Sequence, residues 1–178
     1  IDEVDLPFVL YNIPQFTGRD ISEGGFDELL ALPQVIGVKH TSRNLYGAER
    51  ILRRHPHQTV VNGFDEFYLP ALSIGARGAI GTTVSLQIDL FRSLRRRFAA
   101  GDLAGARAVQ VRIDDTVEGM VEVGVFGAAK YLGGKLSVPL GECRSPLPRL
   151  DDAGRARLDE VFARLQEHIA TTAEEDAA

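Results

Sequence analysis

The chain has 178 residues, 44% hydrophobic and 25% charged, with a net charge of −5. That suffices for one domain with a real core and leaves no basic footprint for nucleic acid. A single cysteine, Cys143, excludes an intramolecular disulfide and fits a reducing, cytoplasmic setting, and no apolar run approaches the ~20 residues of a membrane span.

The opening, "IDEVDLPFVLYN", has no initiator Met and no signal-peptide pattern, and enters a strand almost at once. It reads as a chain missing its beginning. Four apolar runs follow in order: "LPFVLYN" (6–12), "VIGVKH" (35–40), "TVVNG" (59–63) and "GAIGTT" (78–83). They are β-branched and continuous, the pattern of strands buried on both faces. Helix-like segments separate them at 23–31, 45–54 and 66–74; the second carries Leu45, Ala48, Ile51 and Leu52 on one stripe. Strand then helix, repeated, predicts parallel strands with right-handed crossovers.

After residue 84 the pattern turns helical. One helix closes at Gly101, Asp102 caps the next, 121–132 form a third, and "SVPLGECRSPLPRL" is a Pro-rich connection. Asp151 starts a last helix with Leu158, Val161, Phe162 and Leu165 on one face, and "TTAEEDAA" reads as a frayed, solvated tail. The basic runs Arg53-Arg54 and Arg95-Arg96-Arg97 read as solvated helix faces. Four βα units are half of a (β/α)8 barrel, which normally needs about 250 residues; a small, complete doubly wound sheet is the alternative.

The chemically capable side chains fall at the strand ends. Tyr11 and Asn12 end the first run, Lys39 and Thr41 the second; Gly63, Asp65 and Glu66 follow the third, and Thr82 and Thr83 end the fourth. In a parallel sheet these ends share one edge, where such folds place ligands. A lysine closing a buried strand loses hydration, which favours the neutral amine that attack on a ketone requires. A buried ion pair with Asp65 or Glu66 is the competing reading. Tyr11 holds a comparable position on its own strand and is either packing or a proton relay. In "NGFDE", Asp65 and Glu66 either cap a helix or bind a polyhydroxylated substrate. "GARGAIGTT" is glycine-rich but lacks the P-loop lysine and the G-x-G-x-x-G spacing.

Together "LYNIPQFTG", "VIGVKHTS", "VVNGFDEFYLPALSIGARGAIGTT" and "SVPLGECRSPLP" resemble the N-acetylneuraminate lyase and dihydrodipicolinate synthase superfamily. The likeness runs from about Leu6 to Leu165, with the motifs in the family's order. It implies strands five to eight of a (β/α)8 barrel over residues 1–100, followed by a helical extension over 101–178. Lys39 would form a Schiff base with a 2-oxo acid, and Tyr11 would be the proton-relay tyrosine of the "YN-P" motif. Two features favour the sialic acid lyase branch. Phe16 stands in the segment where the synthase branch carries an arginine, and Gly63, Asp65 and Glu66 match the "G-D-E" that contacts the sugar's hydroxyl tail. Thr41 matches the threonine two residues past the lysine, and Thr82 keeps a hydroxyl where the branch has serine. "GTTVS" departs from the branch's "GST" with an aromatic and Asn, so a related 2-keto-3-deoxy sugar acid stays open as substrate.

The resemblance implies cleavage to pyruvate and an aldehyde such as N-acetylmannosamine, no metal or cofactor, and a homo-tetramer. His40, His55, His57 and His168 show no zinc-ligand spacing. The family's Gly-Thr-Thr-Gly-Glu-like loop, which holds the pyruvate carboxylate after the second strand, has no counterpart here. The chain is therefore expected to be a fragment lacking strands one to four. A synthase-like pyruvate-condensing enzyme and a non-catalytic sugar-acid binder are the alternatives.

Overall fold

The structure, a computed structural model, describes residues 5–177. The first four residues of the opening stretch and Ala178 of the expected tail lie outside the described residues. The chain divides into two compact units, one ending at Gly81 and the other beginning at Thr82.

The first unit is a parallel sheet with its crossovers. Its elements are β1 (Phe8–Asn12), the single-turn helix α1 (Pro14–Thr17), α2 (Asp27–Leu30), β2 (Val35–His40), α3 (Leu45–Arg54), β3 (Thr59–Asn62), α4 (Tyr68–Ser73) and β4 (Gly78–Ala79). Short 3-10 turns cover Ile21–Glu23 and Asp65–Phe67. The strands lie in the order β1-β2-β3-β4, all parallel. A doubly wound sheet needs a reversal of strand order, and this sheet has none. Singly wound order, helix after strand, is the layout the apolar runs predicted.

One sheet face packs on the helices. Val38 and Val60 meet Leu30 of α2, Ala48 and Ile51 of α3 and Ala71 of α4 in a continuous core, with Leu10 against it. The α3 stripe explains this packing: Ala48 and Ile51 point at the sheet, while Arg53 and Arg54 end the helix in solvent. The other sheet face is open, and Val9, Tyr11 and Ile80 are exposed on it, as is Ile36 where the β1–β2 register shifts. Burial on both faces, which the continuous apolar runs suggested, therefore does not hold. An apolar strand sequence says that both faces suit a dry environment; it does not supply the second layer.

The second unit is helical: a turn at Val84–Leu86, then α5 (Ile88–Ala99), α6 (Leu103–Glu122), α7 (Val125–Leu136) and α8 (Asp152–Ala177). Gly101, with φ of +81°, turns the chain after α5. The Asp102 carboxylate then accepts the Gly105 N–H at 2.8 Å, capping α6, and Asp151 accepts from Gly154 at 2.7 Å ahead of α8. Leu86, Met120, Ala128, Leu132, Leu158 and Val161 form its core. The contact division at Gly81 thus places α5 with the later helices, although the sequence reading grouped it with the strands.

The C-terminal segment corrects two expectations. Residues 171–177 are helical, the last turns of α8. Asp176 accepts from Ser93 at 3.0 Å and pairs with Arg96 and Arg97, and Glu175 pairs with Arg97 and Arg112. Arg112 also donates to Thr172 at 2.6 Å. The acidic tail and part of the Arg95–Arg97 run are therefore a clamp across α5, α6 and α8. Arg97 and Arg112 keep only 17% of their side-chain surface exposed.

Candidate active site at the carboxyl ends of the strands

Side chains alternate along a strand, and in-register neighbours share a face. Tyr11 pairs with Lys39 and Lys39 with Val61; one residue on, Asn12 pairs with His40 and His40 with Asn62. Tyr11 and Lys39 thus stand side by side on the open face, and Asn12, His40 and Asn62 on the helix-covered one. Exposure agrees: Tyr11 is 51% exposed, while Asn12 and His40 are each 1% exposed.

The Lys39 Nζ lies 4.0 Å from the centre of the Tyr11 ring, a cation–π geometry. Lysine and phenol meet as their strand positions implied. Lys39 is half-buried rather than dehydrated, because its face of the sheet is open. Among the described residues it makes no ion pair, so the buried pair with Asp65 or Glu66 does not form.

The turns beyond the strands are tied by continued ladder bonds. The Thr41 N–H donates to the Asn12 carbonyl, Gly63 to His40 and Ile80 to Asn62, each at 2.8 Å. Thr41, 6% exposed, carries a buried hydroxyl with no hydrogen-bond partner among the described residues. Gly63 makes room for it: a Cβ there would sit 1.9 Å from the Thr41 Oγ1. Asp65, 5% exposed, opens the 3-10 turn, whose N-cap residue is Phe64, so it is not the helix cap that its position allowed. A Cβ on Gly81 would sit 1.7 Å from the Asp65 Oδ1, so the carboxylate lies against bare backbone. Glu66 is half-buried in the same turn, and Thr82 is exposed at the start of the second unit. The first unit thus brings Tyr11, Lys39, Thr41, Gly63, Asp65 and Glu66 to one sheet edge.

Beneath this edge lies a polar network that the sequence did not announce. The Asn12 Nδ2 donates to the Asp20 Oδ1 at 2.8 Å and meets the His40 Nδ1 at 3.1 Å, while its Oδ1 accepts the Ile21 N–H at 3.2 Å. With an amide donor facing Nδ1, the imidazole carries its proton on Nε2 and donates it to the Asn44 carbonyl at 3.2 Å. Asp20 also accepts from the Ser22 N–H at 2.9 Å, the Ser22 hydroxyl at 2.5 Å and the Ser42 hydroxyl at 2.7 Å. Burial pushes the Asp20 carboxyl up, but the bonds from Ser22, Ser42 and Asn12 outweigh it and hold it below the ordinary 3.8. Burial lowers His40 below 6.5, against the opposing pull of the Asp20 charge and the Asn44 carbonyl. The one legible sign was parity: Asn12 and His40 directly follow Tyr11 and Lys39, so they had to face the other way.

Among the described residues no cluster of three His, Cys, Asp or Glu side chains could hold a metal ion, and no helix is long and apolar enough to cross a membrane.

A parallel β/α sheet with its polar groups gathered at the strands' carboxyl edge defines a class of proteins that bind ligands at that edge. Within that class the chain belongs to the dihydrodipicolinate synthetase family, which matches residues 1–165. It is 39% identical over 159 residues to the N-acetylneuraminate lyase of Rhizobium meliloti (strain 1021), covering 89% of this chain and 52% of that protein. Its fold is similar to that of CdNal from Clostridium difficile in complex with mannosamine (TM-score 0.87, 30% identity, 92% of this chain and 57% of that one). A catalytic lysine mutant of the Ruminococcus gnavus sialic acid aldolase is equally similar (TM-score 0.88, 27% identity, 93% and 56%). The chain thus spans little more than half the length of each.

Proposed function

We propose that this chain carries the imine-forming part of an aldolase that cleaves N-acetylneuraminate, or a related 2-keto-3-deoxy sugar acid, to pyruvate and an aldehyde. The observation that carries the reading is the contact of Lys39 with Tyr11 on one face of adjacent parallel strands. The likeness to an N-acetylneuraminate lyase and to a sialic acid aldolase with a catalytic lysine supports it. In this reading the sheet is strands five to eight of a (β/α)8 barrel, and its open face is the barrel interior.

The Lys39 nitrogen bonds to C2 of the open-chain acid, and the carbonyl oxygen leaves as water, giving an iminium. The iminium draws the electron pair of the C3–C4 bond, which breaks as Tyr11, through the substrate carboxylate, takes the C4 hydroxyl proton. The aldehyde departs, the resulting enamine is protonated at C3, and water releases pyruvate. The iminium is the electron sink, so the step calls on no metal or cofactor. Thr41, Gly63, Asp65 and Glu66 bind the substrate; the buried, unpartnered Thr41 hydroxyl is a hydrogen-bonding group in want of a ligand. The working form is a homo-tetramer.

Borohydride trapping with pyruvate tests the reading. In the complete barrel protein a covalent adduct of pyruvate mass on Lys39 is expected, and Lys39→Ala abolishes it. Glu66→Ala leaves trapping intact and weakens sugar-acid cleavage; unchanged cleavage kinetics in that variant count against the lyase assignment. Binding of sugar acid without any adduct makes the chain a non-catalytic binder instead.

A further inference from the structure

The mechanism above uses Tyr11 and Lys39 and leaves a half-buried carboxylate, Asp20, unexplained. We infer that Asp20 is a positioning residue: acting through Asn12 and His40, it fixes where Tyr11 and Lys39 stand relative to each other. The inference rests on the aldolase reading for its chemical meaning but not for its geometry.

Asp20 sits in the segment between α1 and the Ile21–Glu23 turn, where no periodic pattern marks it. It gathers donors from three places: Asn12 at the end of β1, Ser22 in the turn, and Ser42 just past β2. No cation pairs with it among these contacts; four neutral donors hold it. The two strands it joins are the ones that carry the reacting side chains. Asn12 follows Tyr11 and His40 follows Lys39, and the Asn12–His40 contact crosses the β1–β2 seam one residue beyond the Tyr11–Lys39 pair.

Each member is oriented by the others. Asn12 uses both amide hydrogens and its oxygen, on Asp20, His40 and Ile21. His40 is held at both nitrogens, by Asn12 and Asn44. Asn44 donates to the Ser22 hydroxyl at 3.2 Å and caps α3 through the Gly47 N–H at 2.9 Å. The network therefore ties the loop after β1, the loop after β2 and the first turn of α3 into one block behind the reacting pair. A side chain of Tyr11 or Lys39 can swing only as far as its own backbone allows, and that backbone is fixed from behind.

The test uses the full chain with two readouts. The first is the NMR shift of the Lys39 ε-methylene, which the Tyr11 ring current displaces at this separation; the second is the rate of borohydride trapping with pyruvate. Asp20→Ala removes the block's centre: the ring-current shift collapses toward that of a free lysine and trapping slows on the order of 10- to 100-fold. Asp20→Asn keeps an acceptor for Asn12 and Ser22 and leaves the Ser42 hydroxyl free to turn and accept, so both readouts recover most of the way. Ser42→Ala deletes two bonds, the one to Asp20 and the one from the Asn44 N–H, and gives an intermediate shift, which serves where Asp20→Ala fails to fold. A role in stability alone would lower the melting temperature and leave the shift of the folded protein in place. An unchanged shift in Asp20→Ala or Ser42→Ala overturns the inference, as does an Asp20→Asn variant as impaired as Asp20→Ala. Absence of trapping in the unsubstituted protein sinks the aldolase reading while the shift still decides the geometry.

Discussion

At the scale of single residues, the site is shaped by what is left out. Gly63 stands where any side chain would strike Thr41, with a Cβ 1.9 Å from the hydroxyl oxygen and 2.8 Å from the Thr41 Cβ. Gly63→Ala is expected to destabilise the chain by about 1–3 kcal/mol as Thr41 is displaced. Adding Thr41→Ala recovers part of the loss, measured by denaturant melts; full additivity would show that the two do not touch. His40 carries a second prediction. A histidine whose folded pKa lies below 6.5 stays neutral while the unfolded chain takes up a proton. Its stabilising term is complete above 6.5 and is lost as pH falls from there toward the lower folded value. Melts at about pH 7.5 and about pH 5.5 therefore differ more in the unsubstituted chain than in His40→Asn. Lys39, Tyr11 and Thr41 were legible because a polar group closing an apolar run is conspicuous. Asp20 was not, because its meaning comes from donors at residues 12, 22 and 42 that no local pattern unites.

Among the elements, those read best carry their own boundary signals. The apolar stripe of α3 and the Asp102 and Asp151 caps mark their helices in the local sequence. The end of α8 carries no such signal: "TTAEEDAA" is polar all round, and its helicity depends on Arg96, Arg97 and Arg112, some 60 to 80 residues upstream. The Arg112 guanidinium holds Glu175 below its ordinary 4.5. Burial raises Asp176, yet bonds from Ser93, Arg97 and Arg96 leave it below 3.8. Carboxylates depressed in this way stabilise the fold above those ordinary values, and the contribution disappears as pH falls through the folded ones. Asp176→Asn is expected to cost about 1 kcal/mol, less at high salt, and to flatten the acid limb of the melting curve. An Asp176→Asn protein with the same acid midpoint would remove α8 from the account of acid stability. In the second unit's core, Leu158→Ala is expected to cost about 2–5 kcal/mol, since Leu158 is fully buried.

For the whole molecule, parallel sheet order and helix placement followed from the alternation of apolar runs and stripes. The openness of one sheet face did not, because local sequence describes what a strand tolerates and not what lies over it. Val9, Tyr11, Ile36 and Ile80 leave apolar surface in water. The 178-residue chain by itself is therefore expected to bind a hydrophobic dye and to self-associate with concentration in sedimentation. A dye-silent monomer would mean that the open face is covered in solution. The pairing of Tyr11 with Lys39 has a last consequence. Neighbouring strands sit roughly 4.8 Å apart by backbone geometry, so the Tyr11–Lys39 pair is spaced by the peptide ladder itself. Glu66 and Thr82 stand instead on turns, which lengthen and mutate freely. Under the proposed aldolase reading, evolution, or an engineer, can thus exchange the aldehyde by rewriting turns while the ladder-spaced pair is inherited untouched.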